Sequence, residues 1–222
     1  EAITITDTGI LARNLKNIDI CTRLLERAYP DGAHVSGVDL GAGYGIFVRG
    51  MRDAGFDFHW SDAYADNLVA RGFNADNKKY DVAVAFEVLE HMINPLNFLR
   101  KSRDRFAFDY LIFTATCFDP KNVPDENWWY WAFETGQHVS FFSEDALNFM
   151  AYDLDMRMVH MKSDMYMFFD KKSVEPISPP RRGKLERFEK KIAELGKPLS
   201  TKHRQPLTWS DHVMLRKFLH EN

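Results

Sequence analysis

The chain has little cysteine, little net charge and no long apolar run. Its 222 residues contain two cysteines, Cys21 and Cys117, too few for a disulfide-stapled scaffold, so a reducing cytoplasm is the expected setting. No stretch approaches the roughly 18 uninterrupted apolar residues of a membrane span, and the start Glu1-Ala2-Ile3-Thr4 lacks the basic and then apolar pattern of a signal peptide. A formal net charge of −3 argues against bulk polyanion binding. There is no internal repeat and no low-complexity tract. What remains is ordinary globular composition, 45% hydrophobic and 27% charged, at a length that suits one domain with appendages.

The charge is unevenly distributed. Residues 171–222 carry thirteen Lys/Arg against six Asp/Glu, whereas the first 170 carry sixteen against twenty-six. The basic tail could meet nucleic acid, a lipid surface or a polyanionic substrate, or lie against the acidic body.

Apolar Leu11, Leu15, Ile18, Leu25 and Ala28 stand at helical spacing and stop at Tyr29-Pro30-Asp31-Gly32, which predicts an amphipathic helix in an N-terminal segment, residues 1–34. Residues 35–40 read as a buried strand that runs into Gly41-Ala42-Gly43-Tyr44-Gly45 and a helix over 46–54. Further strands are expected over 56–61, 80–86 and 110–114. Asn94-Pro95 and Ser143 are helix starts. Residues 156–161 and 165–169 read as a hairpin. The extension 173–222 is expected to be helical, with a linker at 178–183 and apolar stripes at Leu185, Phe188, Ile192 and Leu195 and at Met214, Leu215 and Phe218.

Strand, glycine loop and helix make the opening unit of a doubly wound α/β sheet. The glycines let a ligand approach the backbone closely and aim free helix N–H groups at its anionic part. The third glycine comes one position too early for the nicotinamide fingerprint. Asp39 stands two residues before the first glycine, where a carboxylate repels a pyrophosphate but accepts hydrogen bonds from an ammonium. Asp62 follows Gly41 by twenty-one residues, at a strand end where an acid can hold ribose hydroxyls.

Val38-Asp39-Leu40-Gly41-Ala42-Gly43-Tyr44-Gly45 resembles motif I of the class I S-adenosylmethionine-dependent methyltransferases. Phe86-Glu87-Val88-Leu89-Glu90-His91 followed by Asn94-Pro95 is similar to a segment of their small-molecule and glycan-cluster branch. Trp128-Trp129-Tyr130 with Gly136-Gln137-His138-Val139-Ser140-Phe141 resembles enzymes of surface-polysaccharide synthesis. The resemblance covers about residues 35–170, and residues 35–172 are expected to be the cofactor-binding domain. It implies a Rossmann-like sheet of about seven strands with an antiparallel last strand, and S-adenosyl-L-methionine as cofactor, bound by Asp39, Gly41, Gly43, Gly45, Asp62, Tyr64 and Glu87. Between Asp62 and Asp81 the chain is short for the helix, strand and adenine contact that the family places there; Phe73, Asp76 and Tyr64 are the candidates.

Methyl transfer to a hydroxyl needs an in-line acceptor and a base. His138 and His91 are the catalytic candidates, and Glu90 is expected to be a solvated helix residue. Trp128, Trp129 and Tyr130 are either a platform for a sugar ring or a packed lid. His91, His138 and Asp119 form no familiar metal-ligand spacing, so no metal is expected. The expected partner is a small-molecule or glycan acceptor rather than nucleic acid, and the sequence sets no oligomeric state. The competing readings are a cofactor-binding module without turnover and a nucleic-acid methyltransferase that uses the basic tail.

Overall fold

In the computed structural model, residues 9–30, 32–133, 137–172 and 207–221 are described. Four parallel strands come first: β1 (Ser36–Leu40), β2 (Asp57–Ser61), β3 (Val82–Ala85) and β4 (Tyr110–Thr114). The hairpin of β5 (Met156–Lys162) and β6 (Met165–Asp170) completes one sheet in the order β2-β1-β3-β4-β6-β5. β6 runs antiparallel to both β4 and β5, so the hairpin supplies the antiparallel edge that the sequence implied.

Among the described residues the sheet has six strands, not about seven. The difference lies in the short stretch after Asp62. Where a further edge strand was expected, the chain makes a single parallel bridge from Trp60 to Asn74, held by Trp60 N–H to the Phe73 carbonyl at 2.7 Å and Ala75 N–H to the Trp60 carbonyl at 2.8 Å. Too few residues are present to build a helix, a return and a full strand.

Apolar side chains cover both faces of the sheet. One layer gathers Leu89, Leu99, Phe106, Phe113, Leu147 and Phe168, and the other Cys21, Leu25, Phe47, Val48, Phe58 and Met167. α3 (Pro95–Phe106) starts as the sequence predicts, with Pro95 at its first position and the Asn94 carboxamide oxygen accepting from Asn97 N–H at 2.9 Å. α4 (Glu144–Asp153) is capped by Ser143.

α1 (Ile10–Ala28) differs from the expected amphipathic pattern. Leu11 and Leu15 are exposed, while Asn17, Cys21, Thr22 and Leu25 face inward. The C-terminal half of α1 packs on α2 (Ile46–Asp53), where Ile18 lies over Gly50; a Cβ there would stand 2.3 Å from its Cδ1. In the N-terminal half, Ile10, Arg13, Asn14 and Asn17 line a cavity.

α5 (Thr208–Glu221) is the described part of the C-terminal extension. It docks on α2 through Asp211, whose carboxylate accepts from Arg52 Nη2 at 2.8 Å, Arg52 Nε at 2.9 Å and Arg49 Nη2 at 2.7 Å. The 178–183 linker and the stripe from Leu185 to Leu195 lie outside the described residues. No described helix is long and apolar enough to cross a membrane.

Candidate functional site

A cavity of about 1130 Å³ opens where β1, β2 and β3 end, at residues Leu40, Ser61 and Phe86. This is the carboxyl edge at which open α/β sheets hold ligands.

One end of the cavity is the glycine loop. Gly41, Gly43 and Gly45 have φ values of 86°, 52° and 88°. At Gly41 a Cβ would come within 2.7 Å of Val88, and at Gly45 within 2.9 Å of Ala70, so side chains are excluded by contact as well as by conformation. Asp62 ties the loop to the turn that follows β2. Its Oδ2 accepts from Gly43 N–H at 2.8 Å, and its Oδ1 accepts from Tyr64 N–H at 2.7 Å and Ala65 N–H at 3.0 Å. Asp62 lines the cavity while it organises the turn.

Asp39 is buried and also lines the cavity. Burial first, and then the charge of Asp62, push its carboxyl up to about 8. A cationic ligand group would compensate this carboxylate. Tyr64, 80% exposed, stands at the same end. Phe73 does not face the cavity. It is buried, with the Arg52 guanidinium 3.8 Å from its ring centre, so it braces α2 instead of meeting a ligand. Asp76 does not line the cavity; its backbone N–H donates to the Tyr80 hydroxyl at 3.1 Å.

The other end is built around the chain following β3. Glu87 has φ 56°, and its Oε1 accepts from the Thr114 hydroxyl at 2.8 Å while its N–H donates to the same oxygen at 2.9 Å. This locks Glu87 to the end of β4 beside the cavity. Beyond it a short helical turn, Leu89–His91, presents Glu90 and His91.

Glu90 is not a solvated residue, as its local sequence suggested. It is 1% exposed. Its backbone carbonyl accepts from Val139 N–H at 2.8 Å and Ser140 N–H at 3.0 Å, and its Oε1 accepts from the Tyr130 hydroxyl at 3.1 Å. Oε2 is buried without a hydrogen-bond partner. Burial, reinforced by the Glu87 charge, pushes this carboxyl up to about 7.

Those two bonds to the Glu90 carbonyl stitch the segment carrying His138 onto the segment carrying His91. The rings meet edge to face at 5.0 Å. His91 Nδ1 lies 2.9 Å from the Gln137 carbonyl, and His138 Nδ1 lies 2.7 Å from the Tyr130 carbonyl. A carbonyl only accepts, so each ring carries its proton on Nδ1 and leaves the Nε2 lone pair free in the neutral form. Burial lowers the His91 imidazole, and the neighbouring His138 lowers it further against the pull of the Gln137 carbonyl.

The aromatic segment divides its tasks. Trp129 is 74% exposed and lines the cavity. Tyr130 is buried and holds Glu90 and His138 in place. Trp128 is half-buried among Phe118, Trp131 and Phe141 and does not line the cavity. Asn17, Arg13, Lys101 and Arg105 also line the cavity, and sequence reasoning did not single them out. Their only sequence signal is a polar residue on an otherwise apolar helix face, visible at Asn17.

A parallel sheet with a glycine loop at its carboxyl edge and an antiparallel hairpin at one side is a Rossmann-like architecture. The family model described as "Methyltransferase domain" matches residues 11–160, and the chain belongs to that family. No curated protein matches the chain significantly. Among solved structures it is similar to magnesium protoporphyrin IX methyltransferase of Synechocystis PCC 6803 with bound SAM, at 12% identity and TM-score 0.52, over 76% of this chain and 85% of that one. A putative O-methyltransferase of Nostoc punctiforme PCC 73102 gives 11% identity and TM-score 0.52 over 76% and 63%. An O-methyltransferase family protein of Burkholderia thailandensis gives 11% and 0.52 over 73% and 57%. At these identities the likeness is one of fold.

Proposed function

We propose that the protein transfers a methyl group from S-adenosyl-L-methionine to a hydroxyl of a small acceptor, a sugar or another hydroxylated compound of surface-polysaccharide or related synthesis. The observation that carries this reading is the polarity of the cavity: a buried acid at one end and free imidazole lone pairs at the other.

Asp39 takes the ammonium of the methionine portion, the loop Gly41 to Gly45 lies along it, and Asp62 takes the ribose hydroxyls with its remaining acceptor capacity. Tyr64 covers the adenine. Glu87 borders the methyl-transfer region. The acceptor enters beneath Trp129, whose exposed ring offers a flat apolar face to a sugar. Its hydroxyl meets the cluster of Glu90, His91 and His138, which activates it. The hydroxyl oxygen bonds to the methyl carbon, the carbon–sulfur bond breaks with its electron pair going to sulfur, the sulfonium becomes a neutral thioether and the hydroxyl proton passes to water. Alignment of oxygen, carbon and sulfur supplies most of the acceleration, about 7–11 kcal/mol for well-oriented partners. Cys21 and Cys117 are both free thiols, which suits work in the cytoplasm.

The test is a labelled-methyl transfer screen against nucleotide sugars, glycans, small phenols and RNA, with calorimetry against S-adenosylhomocysteine alongside. Methyl-ether products on a sugar or small hydroxylated acceptor are expected. Methylation confined to RNA, or cofactor binding without any turnover, would overturn the acceptor reading.

A further inference from the structure

We propose that Glu90, His91 and His138 form a binding site for one divalent cation of the borderline transition-metal type, Zn²⁺ or Co²⁺, open to the cavity on its remaining positions. The ligand atoms are Glu90 Oε2 and the Nε2 atoms of the two histidines. The site exists independently of the hydroxyl acceptor, but its role in turnover rests on the methyl-transfer reading above.

Four observations support it. One potential ligand atom from each of the three residues lies within 4.8 Å of the others, a separation that a single ion can bridge. Both imidazoles are fixed through Nδ1–H to a backbone carbonyl, at 2.9 and 2.7 Å, the outer arrangement that sets the tautomer and aims Nε2 at a metal. Glu90 is 1% exposed, its Oε1 is held by Tyr130, and its Oε2 is buried without a partner. A lone buried carboxylate oxygen next to two nitrogen lone pairs is costly unless a cation takes all three. Finally, His91, His138 and Glu87 line the cavity, so a bound cation would face the acceptor.

Two nitrogens and one oxygen favour a borderline ion over magnesium or calcium, which prefer all-oxygen surroundings. With three protein ligands the ion keeps an open position, as catalytic sites do. An acceptor hydroxyl that takes that position loses its proton to water more readily, because the cation stabilises the alkoxide. The alkoxide oxygen then bonds to the methyl carbon as the carbon–sulfur bond breaks. His138 thereby acts as a metal ligand, not as the proton acceptor that the sequence suggested. Asp119 takes no part: its carboxylate accepts from Lys121 N–H at 2.9 Å in an exposed turn.

The experiment is titration of chelator-dialysed protein with Co²⁺, followed by calorimetry and by the visible d–d absorption of the ion, with S-adenosylhomocysteine binding measured on the same samples. One equivalent of Co²⁺ is expected, displaced by Zn²⁺, with nitrogen ligands apparent in the spectrum. His91→Ala and His138→Ala should each weaken Co²⁺ binding by more than about 100-fold, beyond the loss that follows removal of a merely orienting partner. Their affinity for S-adenosylhomocysteine should stay within about twofold. Wild-type protein that binds S-adenosylhomocysteine but takes up no stoichiometric Co²⁺, or variants that bind Co²⁺ as before, overturn the site. Uptake of Co²⁺ without methylation of any hydroxyl sinks the acceptor reading and leaves the cation site standing. Methylation indifferent to chelator dialysis, in protein that takes up no metal, does the reverse.

Discussion

Asp39 is the residue on which ligand binding and acid–base behaviour meet. Its carboxyl, pushed up to about 8 by burial and Asp62, titrates in the unfolded chain near about 4. The folded protein therefore holds that proton more tightly, and the associated stability is full below about pH 4 and lost as pH rises through about 8. Urea midpoints should fall between about pH 5 and pH 8.5, and the fall should be shallower in Asp39→Asn, the remainder coming from Glu90 with its carboxyl at about 7. An ammonium ligand binds the ionised form, so affinity for S-adenosylhomocysteine should rise with pH by up to tenfold per unit between about 6 and 8. A pH-independent affinity in the wild type would contradict the pairing. Asp39, Asp62 and the three glycines were legible because strand, loop and acid are neighbours in sequence. Glu90 was not. Its solvent exposure is decided by Tyr130, Val139 and Ser140, some forty to fifty residues away, and nothing near Glu90 announces them.

The short turn Trp129–Trp131 is an element whose two sides do different things. Tyr130 faces inward and organises the Glu90–His138 corner, while Trp129 faces the cavity. Trp129→Ala should therefore raise the KM for acceptor by about tenfold, a loss of about 1.4 kcal/mol of ring contact, with S-adenosylhomocysteine affinity unchanged. Equal losses in both, tracking a lowered Tm, would mean ordinary packing. The strands of the sheet, the α3 and α4 starts and the terminal hairpin could be read from local capping and alternation. The register at which they meet could not, and neither could the collapse of the expected strand after Asp62 into the Trp60–Asn74 bridge. α1 was misread for a related reason. Leu11 and Leu15 repeat at helical spacing, but the face that α1 buries is the one carrying Asn17, Cys21, Thr22 and Leu25, so both leucines are exposed.

For the whole molecule, the contact of α5 with α2 is the longest-range tie among the described elements. Arg52 is buried between Asp57 and Asp211, bonded to Asp57 Oδ1 at 2.5 Å and to the Phe58 carbonyl at 3.0 Å. Burial works against the Asp211 carboxylate, but the hydrogen bonds from Arg52 and Arg49 hold it below the ordinary range. Asp211→Ala leaves Arg52 short of one of its two acids and should lower the unfolding free energy by about 3 kcal/mol, read from the urea midpoint; a change under about 1 kcal/mol would reduce the contact to surface decoration. The basic excess of residues 171–222 thus includes an acid that faces the domain. The order of synthesis gives this tie a further meaning. Gly45 caps the start of α2, so the scaffold of the glycine loop waits for an aspartate that leaves the ribosome 159 residues after Arg52. A nascent chain halted before residue 207 carries every donor-loop residue without the anchor of the helix behind it, and methyl-donor affinity should appear late in translation, on release of α5, and not when the loop itself has emerged.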